Sequence, residues 1–142
     1  MTRVSAPPYV IHIDGASRGN PGEASFGVHV EAPDGQVTGL YGYLGRATNN
    51  FAEYQALIHA LKYALARGAT DVAVYSDSEL VVKQIGGAYK VKHPDMQPLH
   101  REASALMRRF QRASLSHVRR EQNREADQLA NQALDLRASK LE

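Results

Sequence analysis

The feature that most constrains the fold is a change of hydrophobic period near residue 50. Before it, apolar and polar residues alternate in three successive segments: Tyr9 to Ile13, ending at Asp14-Gly15, then Ala24 to Glu31, then Gln36 to Arg46. A period of two marks strands with one buried side. Pro33-Asp34-Gly35 is a hairpin signal between the second and third segments. Gly15 to Gly22 (GASRGNPG) reads as a turn segment, because Asn-Pro and glycine punctuate it. After residue 50, Tyr54, Leu57, Ile58, Leu61 and Leu65 recur at helical spacing, and Arg67-Gly68 suits a helix end.

The period then switches repeatedly. Asp71 to Tyr75 is a short β-branched strand, and Asp77-Ser78 can cap a helix running to Ile85 before Gly86-Gly87 stops it. Residues 88–97 read as loop. Pro98 opens a third helix with Leu99, Ala103, Leu106 and Phe110 on one stripe, Leu115 to Val118 is a fifth strand, and Asn123 caps a last helix that buries Ala126, Leu129, Ala130, Ala133 and Leu134. The order βββαβααβα predicts a mixed α/β fold: an antiparallel meander joined to crossover units, in a five-stranded mixed sheet flanked by helices. The 142 residues are expected to form one domain, with residues 1–8 as an N-terminal arm and residues 137–142 as a frayed tail.

Composition narrows the chemistry. Apolar residues make up 43% and charged residues 23%, as in an ordinary globular protein, and the longest apolar runs fall far short of a membrane span. Met1 to Pro8 carry no apolar core of a secretory signal, so the default expectation is a cytoplasmic protein. Without cysteine there is no disulfide and no thiolate metal site, and any metal must be held by oxygen or imidazole. The net charge of +2 is unevenly placed: the window Arg108 to Arg124 holds six arginines against the single acid Glu121. Such a patch suits a polyanion, and equally suits a solvated surface.

Four acids then stand at strategic places. Asp14 ends the first strand, Glu53 lies in the first turn of the first helix, Asp77 follows the fourth strand, and Asp127 lies in the first turn of the last helix. Each alone has an ordinary structural reading, as turn residue, helix-dipole partner or cap. Their contexts are D-G-A-S-R-G-N-P-G at 14–22, T-N-N-F-A-E-Y at 48–54, Y-S-D-S at 75–78 and N-R-E-A-D-Q-L-A-N at 123–131. In this order and spacing the four segments resemble the type-1 ribonuclease H family over about residues 9 to 135.

The resemblance implies the ribonuclease H-like fold, with strand order 3-2-1-4-5 and strand 2 antiparallel. It implies an endoribonuclease that hydrolyses the RNA strand of RNA/DNA hybrids, leaving a 5′-phosphate and a 3′-hydroxyl. Two Mg²⁺ ions, with Mn²⁺ as a substitute, would be held by Asp14, Glu53, Asp77 and Asp127, with Asp14 shared between them. Gly15, Ala16, Ser17, Asn20, Glu53 and Glu79 match positions that meet the RNA 2′-hydroxyls. Thr48 and Asn49 match a pocket for a DNA phosphate, and Asn50 a contact to a base edge or sugar. The protein is expected to act as a monomer.

The chain also departs from many members. Only Gly87 to Asp95 stands where others carry a basic helical protrusion, and no histidine lies in the loop before the last helix. Both features resemble the archaeal and protrusion-lacking bacterial branch. His117 reads as a strand residue, and Arg119 and Arg120 are the groups placed to act electrostatically in the histidine's stead. Glu79 replaces a glutamine common in the family and is expected to alter hybrid specificity, and the likeness to this branch, some of whose members also cut double-stranded RNA, implies a side activity on that substrate. A proofreading-type exonuclease is disfavoured, because Ala16 stands where its second acid would be. A catalytically silent nucleic-acid-binding module of the same fold is the remaining alternative.

Overall fold

The computed structural model describes residues 7–142, so the expected N-terminal arm lies almost wholly outside the described residues. Five strands, β1 (Tyr9–Gly19), β2 (Gly22–Glu31), β3 (Val37–Ala47), β4 (Asp71–Ser76) and β5 (Arg112–His117), form one sheet in the order β3-β2-β1-β4-β5. β1 pairs antiparallel with β2 and parallel with β4, β2 pairs antiparallel with β3, and β4 pairs parallel with β5. The helices are α1 (Asn49–Ala66), α2 (Glu79–Ile85), α3 (Gln97–Met107) and α4 (Arg124–Leu136), with a short 3₁₀ turn at Arg120–Gln122. This is the expected mixed sheet in the expected order. No helix of the described residues is long and apolar enough to cross a membrane.

Alternation assigns the two faces of the sheet. Ile11 and Ile13 of β1 stand opposite Val30 and Val28 of β2, and all four are fully buried with Phe26 under α1. α1 lies between the sheet and α3, which explains why Tyr54, Leu57, Ile58 and Leu61 are all buried. The one polar atom this places in the core is satisfied: Tyr54 Oη donates to Gln84 Oε1 of α2 at 2.6 Å. The other face receives α4, which packs across β1, β2 and β3.

α4 sits close because glycine lets it. A Cβ on Gly27 would come within 2.1 Å of Ala126 O and 2.7 Å of Ala130 N, and a Cβ on Gly39 would meet the Leu129 side chain at 3.0 Å. Two side chains then fix the helix in place. Ser25 Oγ donates to Ala130 O at 2.6 Å, and Asn123 Nδ2 donates to Ile13 O at 2.8 Å. Asn123 holds the N-cap position of α4, as expected, but its side chain makes no cap hydrogen bond. It is fully buried and spans from the helix start to β1 instead.

Three local expectations are corrected. The GASRGNPG segment is mostly strand: Gly15 to Gly19 pair with Phe26 to Gly22, and the chain reverses only at Asn20-Pro21. Turn-forming residues are tolerated in this ladder because the pairing with β2 outweighs local preference. β5 begins at Arg112, three residues before the apolar signal at Leu115, because an edge strand needs little burial and only Ala113 and Leu115 are partly covered. The tail does not fray. Tyr41 and Lys140 exchange backbone hydrogen bonds of 2.9 and 2.8 Å, and Ser139 Oγ accepts from Tyr43 N at 2.9 Å. The left-handed Arg137 turns the chain back onto the open edge of β3.

Gly27→Ala should lower stability by about 3 kcal/mol, because the new methyl group meets helix backbone that cannot rotate away. Asn123→Ala should cost about 1–3 kcal/mol by stranding the Ile13 carbonyl. Thermal unfolding checks both, and a Gly27→Ala transition within about 1 °C of wild type would show that α4 does not depend on this approach.

Candidate active site

The four acids converge by topology. Asp14 does not end β1, which runs on to Gly19, but the parallel β1–β4 ladder ends at Ile13 opposite Ser76, so Asp14 within β1 and Asp77 just past β4 stand at the same level. Glu53 arrives from α1 one turn later than expected, since the helix begins at Asn49 and its first turn holds no acid. Its approach depends on Gly15: a Cβ there would lie 2.4 Å from Glu53 N and 2.6 Å from Ala52 C. Asp127 comes from the first turn of α4, its N–H bonded to Asn123 O at 3.1 Å. Asn123 therefore ties the helix start that carries Asp127 to the residue just before Asp14.

Carboxylate oxygens of Asp14, Glu53 and Asp77 lie within 4.8 Å of one another, and Asp127 lines the same cleft close enough to raise the proton affinity of Asp14. Asp14 and Glu53 are only 5% and 6% exposed, while Asp77 and Asp127 are half-buried. Burial and then the charges of Glu53 and Asp77, together with the Asp127 contact, push the Asp14 carboxyl well above the usual carboxylate range. Burial and Asp77 push Glu53 the same way, opposed in part by the Gly15 N–H and by Asp14. Glu53 Oε2 is buried and accepts no hydrogen bond. These are the marks of oxygen donors arranged for a cation: clustered, buried, mutually repelling and incompletely satisfied.

The acids open into a cleft of about 850 Å³. Of the residues expected at the site, Gly15, Ala16, Ser17, Asn20, Asn49, Asn50, Arg119 and Arg120 all line it beside the four acids. Asn20 Oδ1 also accepts from Asn49 N at 3.0 Å, which ties the β1–β2 turn to the start of α1. Two expected residues do not line the cleft. Thr48 caps α1, its Oγ1 accepting from Phe51 N at 3.1 Å. Glu79 is exposed and pairs with Lys83 at 2.6 Å, the next turn of its own helix.

Other residues join the lining that the sequence did not single out for it. His117 is on a strand, as expected, but as the last residue of β5 it stands on the cleft rim. Arg18 and Asn131 line it too. The available signal for His117 was its place two residues before the arginine pair, at the C-terminal end of the parallel strand β5.

The raised carboxyls have a consequence for the cation-free protein. Folded Asp14 and Glu53 keep protons that the unfolded chain releases above about pH 4, so the native state binds more protons and stability falls as pH rises. In EDTA the melting temperature should be lower at about pH 8 than at about pH 5.5, with a slope of up to about 1.4 kcal/mol per pH unit for each proton retained. Asp14→Asn should flatten that decline. Identical pH profiles for wild type and variant would contradict the account.

Comparison with known proteins agrees with this geometry. The family described as reverse transcriptase-like matches residues 12–133. A bifunctional protein of Mycobacterium tuberculosis is 47% identical over 131 residues, which are 91% of this chain and 36% of that protein. Ribonuclease HI of Halobacterium salinarum is 46% identical over 125 residues, 87% of this chain and 63% of that protein. The chain thus spans about a third of the mycobacterial relative and less than two thirds of the archaeal one. The crystal structure of RNase H1 from Halobacterium salinarum superposes with a TM-score of 0.86 at 43% identity, covering 91% of this chain and 98% of that one. LC11-RNase H1, solved in complex with an RNA/DNA hybrid, gives a TM-score of 0.84 at 36% identity, covering 91% and 98%. With its sheet order, its acid cluster and these relatives in agreement, the chain belongs to the ribonuclease H-like family, on the type-1 ribonuclease H side.

Proposed function

We propose that this protein is an endoribonuclease that hydrolyses the RNA strand of RNA/DNA hybrids with two divalent cations, leaving a 5′-phosphate and a 3′-hydroxyl. The observation that carries the reading is the convergence of Asp14, Glu53 and Asp77, two of them buried, with Asp127 lining the same open cleft. The relative solved with an RNA/DNA hybrid supports the substrate class. Oxygen-only donors favour Mg²⁺, with Mn²⁺ as a substitute, over softer metals.

Asp14 is the central group, since it faces Glu53, Asp77 and Asp127 alike. It would be shared between the two ions, with Asp127 completing one and Glu53 with Asp77 the other. Bound there, the ions supply Lewis acidity that makes water a better nucleophile and offsets charge on the leaving oxygen. The protein supplies placement. Gly15, Ala16 and Ser17 form a flat strip of strand at the cleft, suited to a minor groove whose 2′-hydroxyls mark RNA. Asn49 and Asn50 open α1 beside it, where helix N–H groups and the dipole favour a backbone phosphate, and Thr48 holds that turn in shape. Arg119 and Arg120 line the same cleft and would hold positive charge near the scissile phosphate in place of a loop histidine. Glu79, held by Lys83 outside the cleft, would act on specificity only by meeting the far edge of the substrate, and cleavage of double-stranded RNA is the readout of that role. The protein is taken to act as a monomer in the cytoplasm.

Asp14→Asn should lower turnover by about 10²–10³-fold or more while sparing fold and hybrid binding, because it removes the shared donor. A variant that cuts at a comparable rate would rule out the shared-carboxylate mechanism. Replacing Arg119 and Arg120 together by alanine should lower kcat by about tenfold at saturating substrate. Intact turnover with only weaker, less salt-dependent binding would make them phosphate contacts instead.

A further inference from the structure

The arginine-rich window is divided by the fold into two patches. Arg119, Arg120 and Arg124 follow β5, and the first two line the cleft. Arg108 and Arg109 precede β5, Arg112 is its first residue, and none of the three lines the cleft. The parallel strands β1, β4 and β5 all point their C-terminal ends at the cleft, so Arg112 and Asp71, which stand in register, mark the opposite pole. β4 and β5 have six residues each, so the two poles lie about 17 Å apart. Arg67 belongs to the same pole: the loop it opens is bound to the loop before β5 through Gln111 N and Arg112 N, both donating to Thr70 O.

These four side chains are exposed, and none makes an ion pair among the described residues. Four acids stand near them. Asp71 is beside Arg112, Glu102 is held by Lys62 at 3.1 Å, and Asp34 and Glu142 each share a surface cleft with Arg67 without pairing with it. All four are arginines, whose planar fork suits phosphate, and the exposed Arg67 has its guanidinium carbon 4.9 Å from the centroid of the Tyr63 ring. At physiological ionic strength charge is screened over about 8 Å, so this patch has little influence on a strand seated in the cleft.

We propose that Arg67, Arg108, Arg109 and Arg112 form a second docking surface, for the phosphodiester backbone of a nucleic-acid segment other than the one in the cleft. The surface reads no sequence and takes any phosphate backbone, so it holds the domain on nucleic acid while the cleft is filled or emptied. It is independent of the cleavage reading, because DNA without ribonucleotides suffices to detect it.

The test compares wild type with the Arg108→Gln, Arg109→Gln, Arg112→Gln triple variant. Binding of a long all-DNA duplex and of a single strand is measured across a salt series. Wild type should lose about 0.9 log unit of affinity per log unit of salt for each phosphate contact, and the variant's duplex slope should be shallower by about 2 to 3. Cleavage of a short hybrid should keep its kcat/KM in the variant. In wild type, one equivalent of short hybrid, enough to fill the cleft alone, should leave the long duplex bound. Unchanged salt slopes, full displacement by that one equivalent, or a fall in short-hybrid kcat/KM would each overturn the proposal. So would poly-glutamate of equal charge competing as well as DNA, which would assign the surface to an acidic protein. The displacement measurement uses wild type alone and stands even if the variant folds poorly.

Discussion

Four carboxylates brought within reach of one another repel, and the fold is organised around tolerating that repulsion. Two of them lose most of their water on folding, and their proton affinity rises in consequence. A cluster built only for stability would carry apolar or paired groups here. This one leaves a buried oxygen of Glu53 without a partner. A divalent cation would supply the missing stabilisation, so the repulsion within the cluster and the proposed affinity for metal would be one property.

Holding such a cluster together requires backbone to come close where side chains would ordinarily intervene. Gly15 lets α1 descend onto β1 and bring Glu53, and Gly27 lets α4 descend onto β2 and bring Asp127. Asn123 fixes the second of these by binding the Ile13 carbonyl, one residue before Asp14. The large apolar core lies on the α1 side, and α4 adds its own apolar stripe on the other. Both helices are thus anchored by packing some distance from the acids, which leaves the cleft free to be polar.

The period change near residue 50 carries most of the fold, because alternation and helical spacing are local properties that survive in the native state. Legibility fails where pairing overrides local preference. Gly15 to Gly19 carry turn residues but sit in the β1–β2 ladder, and Arg112 to Ser114 carry little apolar signal because an edge strand needs little. The tail from Arg137 has no pattern at all, and only the open edge of β3 explains why it docks. That Asp14, Glu53, Asp77 and Asp127 would face one cleft was legible through their sequence contexts. What their contexts could not show is that Asn123 works as a strap across the sheet, that Glu79 turns toward Lys83, or that His117 reaches the cleft rim. Each of these depends on which face or end of an element a residue occupies.

The most direct measurement uses one RNA/DNA hybrid labelled separately on each strand and incubated with Mg²⁺, Mn²⁺ or EDTA. The account predicts that the RNA strand is cut internally with metal, that it stays whole in EDTA, and that the DNA strand survives throughout. An RNA strand left intact with both metals, or cutting that persists in EDTA, would contradict it.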